Sequence, residues 1–383
     1  MRVSRMLALA AFAATPALAG QGVSDTEVVI GSVSDLSGPF AAFGAPSIKA
    51  AQMHFRAVNA SGGIHGRKIR FVVEDSSYQM PKALQGYNKL VNRDKVFAML
   101  LSLGTPMNIA GFKFTTPKNI PNVFPMTLAR QILSEPIRLR FAAAAFYYDE
   151  LRQAARYMAK KHGVSKLCAM YIPTDFGKEV KAGLVDEAGA NAGVDFVAET
   201  AHKPDEADFI GSLQKLKAAG CGMIGLALTV RQTITVMGTA RKLGLSGIKF
   251  VGSSGAFHTV VAKVPGGITE GLYAAAAWSD LAARADRKEP AAFIAAYKKA
   301  YGKFPGTGAL LGYAGAVSFT MALEKAGRDL SVDSFLKAME SLDYYDPYLD
   351  TRISYSADDH QGAKTIVLSV VKGGAWKELT RFK

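Results

Sequence analysis

Cysteine is almost missing from this chain: two residues in 383, Cys168 and Cys221. That excludes a small disulfide-stapled scaffold and the cysteine-rich zinc folds. The six histidines, His54, His65, His162, His202, His258 and His360, keep no metal-ligand spacing, so no metal is expected. The first strand-to-helix turn lacks Gly-x-Gly-x-x-Gly. There is no Walker lysine motif and no nucleophile-elbow sequence. Neither a dinucleotide cofactor nor an enzyme is therefore expected. Beyond the N-terminus no stretch of about 20 uninterrupted apolar residues occurs, which excludes stable membrane insertion by a helix. Lysine and arginine exceed the acidic residues, 46 against 32, yet they are scattered rather than gathered into a stripe with interleaved aromatics. That pattern speaks against a nucleic-acid partner and leaves a mild attraction for anions.

What is present begins with a leader. Arg2 and Arg5 precede an apolar stretch over residues 6–15, and Ala17-Leu18-Ala19 offers small residues for cleavage. This reads as a secretory signal, residues 1–19, cut after Ala19, with a periplasmic product. No cysteine follows the cut, so no lipid anchor is expected. The rest of the chain is long enough for two domains. Cys168 and Cys221 each fall in an apolar segment, 166–172 and 221–226, and a doubly wound order would make those strands neighbours. Side-chain directions on adjacent parallel strands rarely suit a bridge, so two buried free thiols are expected.

The remaining pattern is α/β. Val28-Val29-Ile30 is a β-branched run that opens into a polar loop over residues 35–44. Ile48, Ala51, Phe55 and Val58 follow at helical spacing, and Gly62-Gly63 stops that helix. Residues 69–73 return as a strand ending in Glu74-Asp75. Leu84, Tyr87 and Val91 mark a helix, residues 96–101 a strand, 104–108 a turn and 120–125 a short strand. A second series starts near Tyr147, with strands at 166–172, 195–198, 223–228 and 249–251. Three helices follow, carried by Phe293, Ala296 and Ala300, by Leu311, Val317 and Leu323, and by Phe335, Met339 and Leu342. Residues 366–371 supply a last strand before Gly373-Gly374. Loops after such strands lie at the carboxyl ends of a parallel sheet, where α/β folds bind ligands.

Taken in order, Leu36-Ser37-Gly38-Pro39 with Gly44, residues 59–67, Asp175-Phe176-Gly177, Asp208-Phe209 and Gly312-Tyr313 resemble the solute-binding proteins of branched-chain amino-acid ABC transporters. The resemblance covers essentially the whole chain after residue 19. It implies an α/β fold of two doubly wound, Rossmann-like lobes joined by three hinge crossings, the type I periplasmic binding protein fold. Lobe 1 would take residues 20–146 and 279–362, and lobe 2 residues 147–278 and 363–383. It also implies a small-molecule ligand held between the lobes, a single copy of the chain and a permease partner in the membrane. A branched-chain amino-acid carrier and a ligand-sensing receptor module of the same fold are the alternatives.

Site residues carry over from that resemblance position by position. Phe43 and Phe176 take the places of aromatics that face the ligand. Thr105 falls on a hydroxyl that holds a ligand carboxylate with neighbouring N–H groups, and Thr127, or Leu128 in the alternative register, lies near a second. Either Thr also suits an ordinary helix N-cap. Tyr147 opens the hinge-side loop, Thr229 follows a strand at another contact position, and Ser254 and Gly255 lie on the loop after residues 249–251. Gly308 stands where relatives carry a bulky aromatic, so a roomier pocket is expected there. Tyr313 and Trp278 are expected to pack at the hinge. Ser254 is the departure that matters, because amino-acid binders of this family carry an acid there to pair with the α-ammonium. Asp35 and Asp175 are the nearest substitutes, and neither is at that position. Burying an ammonium without a partner costs several kcal/mol. An aromatic carboxylate is the ligand this points to, with Tyr147, Ser254 and His258 available to ring substituents.

Overall fold

The computed structural model describes residues 20–383, so the secretory signal and its cut after Ala19 lie outside the described residues. The first series is β1 (Glu27–Ser34), α1 (Ala41–Ala60), β2 (Lys68–Asp75), α2 (Met80–Asn88), β3 (Ala98–Leu100), α3 (Thr105–Thr115), β4 (Asn122–Val123) and β5 (Arg140–Phe141). Its strands pair in the order β2-β1-β3-β4-β5, all parallel. β1 is buried along nearly its whole length, as a central strand with both faces covered must be.

The second series runs α4 (Tyr147–His162), β6 (Lys166–Tyr171), α5 (Asp175–Ala190), β7 (Asp195–Ala201), α6 (Ile210–Ala218), β8 (Met223–Ala227), α7 (Val230–Lys242), β9 (Lys249–Gly252), α8 (Thr259–Ala262) and β10 (Tyr273–Ala276). After it come α9 (Lys288–Tyr301), α10 (Thr307–Ala326), α11 (Val332–Glu340), the hairpin β11 (Asp343–Asp346) and β12 (Thr351–Ser354), and finally β13 (Ile366–Lys372) and β14 (Ala375–Phe382). The second sheet has the order β14-β13-β10-β9-β8-β6-β7, and β13 and β14 are its antiparallel members. The chain thus forms two doubly wound α/β lobes.

α10 returns to the first lobe and lies against α1. A Cβ at Gly308 would stand 2.5 Å from the Phe43 carbonyl oxygen, and one at Gly312 2.1 Å from that of Ser47. Gly308 therefore does not enlarge the pocket, as its place in the sequence suggests. The room that its missing side chain leaves is taken by the backbone of α1.

The cysteines also depart from expectation. Cys168 and Cys221 form a disulfide, with Cα atoms 5.9 Å apart. Cys221 precedes the first residue of β8, Met223, so it escapes the side-chain alternation of the ladder. The objection to bridging adjacent parallel strands applies where both residues hold regular ladder positions, and only Cys168 does, opposite Ile224.

Candidate functional site: a closed apolar cleft

β1 lies between β2 and β3 in the first sheet, so the loops after β1 and β3 diverge and open a crevice at the carboxyl ends. A cavity starts in that crevice and encloses about 970 Å³, its mouth included. Phe43, Thr105, Thr127, Leu128, Tyr147, Phe176, Ser254 and Gly255 all line it. No lining residue is charged.

The rings at the mouth come from separate elements. Phe40 and Tyr78, from the loops after β1 and β2, have centroids 4.4 Å apart. Phe176, on the first turn of α5, meets Phe40 edge-on at 6.1 Å and Tyr147 at 5.0 Å. Asp35 shapes the loop under Phe40 by accepting hydrogen bonds from Gly38 N and Phe40 N. Burial raises its carboxyl above the ordinary value, and those two N–H groups partly offset the rise. Asp35 thus serves the loop and lines no part of the cavity.

The polar floor is small. Thr105 is the first residue of α3, and Thr127 follows β4. Their hydroxyls hydrogen-bond each other at 2.6 Å, and both side chains are buried. Gly104, before the helix, has φ +104°, a value open to glycine, and it lines the cavity beside Thr105. Leu101 and Phe124, at the ends of β3 and β4, also hold positive φ, 57° and 49°, and both side chains line the cavity. Such costly backbone persists where the surroundings fix it, most often at functional sites.

The family model described as a periplasmic binding protein matches residues 27–375. The chain belongs to that family. It is a type I periplasmic binding protein of the branched-chain amino-acid transporter family. One curated relative, Leu/Ile/Val-binding protein homolog 3 of Brucella melitensis, is 25% identical over 224 residues, covering 57% of this chain and 59% of its own length. Among solved structures, a fatty acid ABC transporter substrate-binding protein from Thermomonospora curvata is 24% identical with TM-score 0.84, covering 95% and 94% of the two chains. A solute-binding protein from Rhodopseudomonas palustris BisB5 in complex with 3,4-dihydroxybenzoic acid is 22% identical with TM-score 0.80, covering 94% and 98%. At these identities the structures show the fold. The family consists of solute-binding proteins rather than enzymes and implies a periplasmic location. No helix among the described residues is long and apolar enough to cross a membrane.

In this periplasmic binding protein the lobes are closed on each other. Glu179 of α5 accepts hydrogen bonds from Arg130 N at 3.2 Å and Arg130 Nε at 2.5 Å, across the cleft. Thr259 N donates to Thr307 Oγ1 at 3.1 Å, joining α8 to the start of α10. His258 donates through Nε2 to the Ala42 carbonyl at 3.2 Å, accepts from Val260 N through Nδ1, and stands edge-on to Phe43. Burial pushes its pKa down to about 4, so it is a neutral strut and does not line the cavity.

Other sequence assignments separate from the site. Thr229 lines no part of the cavity and caps α7 in a reciprocal pair with Gln232. This is the ordinary N-cap role. Tyr313 stacks on Phe293 with centroids 4.4 Å apart. Trp278, expected to pack at the hinge, lines the cavity, and its Nε1 is buried without a partner.

The residue that sequence reasoning missed is Glu150. It sits on the first turn of α4, fully buried, and its Oε2 accepts from Ser254 N at 2.9 Å. Oε1 has no partner. Burial raises its pKa to about 8, with the Ser254 N–H drawing it partly back. A carboxyl does stand behind Ser254, then, but it is held neutral. Its only sequence signal was the second of two adjacent acids, Asp149-Glu150, at the start of an amphipathic helix, which also describes first-turn charges facing the helix dipole.

Proposed function

We propose that this chain is the extracytoplasmic solute-binding component of an importer for monocarboxylates with an apolar body, aromatic acids among them. Closure of the lobes on the acid presents the complex to the permease. The observation that carries this reading is the pairing of Thr105 and Thr127 at the start of α3, in the lining of a largely apolar, uncharged cavity. Two hydroxyls and oriented amides hold a carboxylate without a buried counter-ion. Nothing in the lining offers a charge to an ammonium, and the carboxyl of Glu150 behind Ser254 is neutral at pH 7. The ligands in the names of the neighbours, a fatty acid and a dihydroxybenzoic acid, share the carboxylate and differ in the body.

Leucine and valine would leave their ammonium groups unpaired here, at several kcal/mol. A calorimetric panel of benzoate, 4-hydroxycinnamate, leucine and valine tests the reading. The aromatic acids are expected to bind and to be recovered chemically unchanged. Binding of leucine or valine with both aromatic acids silent overturns it.

A further inference from the structure

The cavity does not end at the mouth. Four of its lining residues, Leu311, Ala314, Gly315 and Ser318, recur at i, i+3, i+4 and i+7 on α10, so one face of that helix runs beside it for two turns. Seven residues of helix span about 10 Å. The direction is inward: α10 begins at the lobe interface, where Thr307 meets Thr259, and Ser318 lies deep in the first lobe beside Tyr344. Leu101 and Phe124 from the strand ends meet α10 at Gly315, and Ile353 and Tyr355 complete this inner limb of the lining.

This inner limb is chemically unlike the mouth. Its two hydroxyl groups are already used. Ser318 Oγ donates to the Ala314 carbonyl and also meets Tyr344, and the Tyr355 hydroxyl donates to the Ala142 carbonyl at 3.1 Å. A hydroxylated ring pushed inward would lose its water and find no partner, at a cost of the unpaired-group kind. A saturated chain loses nothing polar there and gains the full benefit of burial.

We propose that the inner limb takes an unbranched hydrocarbon chain, so that the ligands of this pocket include medium-chain alkanoates. The head group lies at Thr105 and Thr127, and the chain runs along α10 toward Tyr355. This rests on the carboxylate reading above and specifies the body that the carboxylate carries. Gly315 packs against Leu101, where an added Cβ would come within 2.9 Å of Cδ2, so a larger residue there displaces a side chain that lines the limb.

The test is titration calorimetry of the delipidated protein with butanoate, hexanoate, octanoate, decanoate and benzoate. Affinity is expected to rise about fourfold per methylene, the fold-change that burial of one CH2 corresponds to, and then to stop when the limb is full. Ala314→Leu shifts the best chain to a shorter one, and the milder Gly315→Ala moves it in the same direction should the first variant fail to fold. Benzoate binding with no gain along the alkanoate series overturns the chain limb and leaves the carboxylate reading standing. So does an optimum chain length that neither variant moves. Silence of every acid in the series overturns both.

Discussion

Glu150 accepts a hydrogen bond from the Ser254 backbone N–H at 2.9 Å, while its other carboxyl oxygen and the Ser254 hydroxyl are buried without partners. The loop after β9 and the first turn of α4 thus share one neutral acid at the back of the cleft. Its pKa of about 8, against an ordinary 4.5, makes the folded state hold a proton that the unfolded chain releases. The stabilising contribution is therefore fully present below pH 4.5 and lost as pH rises toward 8, at up to about 1.4 kcal/mol per pH unit from this group. Glu150→Gln is isosteric with the neutral acid and keeps an acceptor for Ser254. Urea unfolding at pH 5, 6.5 and 8 should show a flatter pH profile in the variant than in the parent. Equal slopes would mean that Glu150 is ionised in the folded protein.

Thr105 and Thr127 are bonded to each other, so their contributions to binding are not independent. Thr105→Ala removes one hydroxyl and leaves its partner short of a hydrogen bond. Benzoate affinity should fall by roughly 1–3 kcal/mol. The double variant with Thr127→Ala should lose less than the sum of the two single losses. An unchanged affinity in Thr105→Ala takes that residue out of the carboxylate site.

Much of the fold was legible because a parallel sheet writes itself as short apolar runs between amphipathic helices. Val28-Val29-Ile30 and the face Ile48, Ala51, Phe55 are such signals, and they lie in β1 and α1. β11 was not legible, since Asp343 and Asp346 frame its two tyrosines and hide the apolar pattern. β14 exposes most of its polar residues at the sheet edge and escaped for the same reason. Phe43, Thr105 and Phe176 were assigned from the family resemblance, and all three line the cavity. The inner limb was not legible, because Leu311, Ala314 and Ser318 show the spacing of any helix face turned inward. A helix lining a cavity and a helix lining a packed core have the same sequence period.

The disulfide gives a prediction that needs no ligand. Cys168 and Cys221 are 53 residues apart in sequence, and closing a loop of that length restricts the unfolded chain by about 4 kcal/mol in the chain-entropy model. Chemical unfolding with and without reductant should differ by up to that amount, with the oxidised form the more stable. Thiol labelling of the denatured, unreduced protein should find no free cysteine. Two labelled thiols in protein recovered from the periplasm would refute the bridge.

Arg130 and Glu179 link the lobes more directly than any group in the cleft. The Glu179 side chain is 2% exposed, and its hydrogen-bond partners are the N–H and guanidinium of Arg130, which also lies over the Tyr148 ring with 3.5 Å to its centroid. Opening would return the carboxylate to water, so the pair favours closure rather than the fold of either lobe. The Arg130 side chain is 44% exposed, and solvent screening discounts the attraction to about 1–2 kcal/mol. Glu179→Gln should therefore weaken benzoate binding by about tenfold while leaving the unfolding midpoint of the ligand-free protein nearly unchanged. Arg130→Ala should act in the same direction, and the two together should cost little more than either alone. Small-angle scattering of the liganded Glu179→Gln protein should give a larger radius of gyration than the liganded parent. If affinity and radius both stay at parental values, closure is carried by the aromatic contacts of Phe176 and the Thr259–Thr307 bond instead.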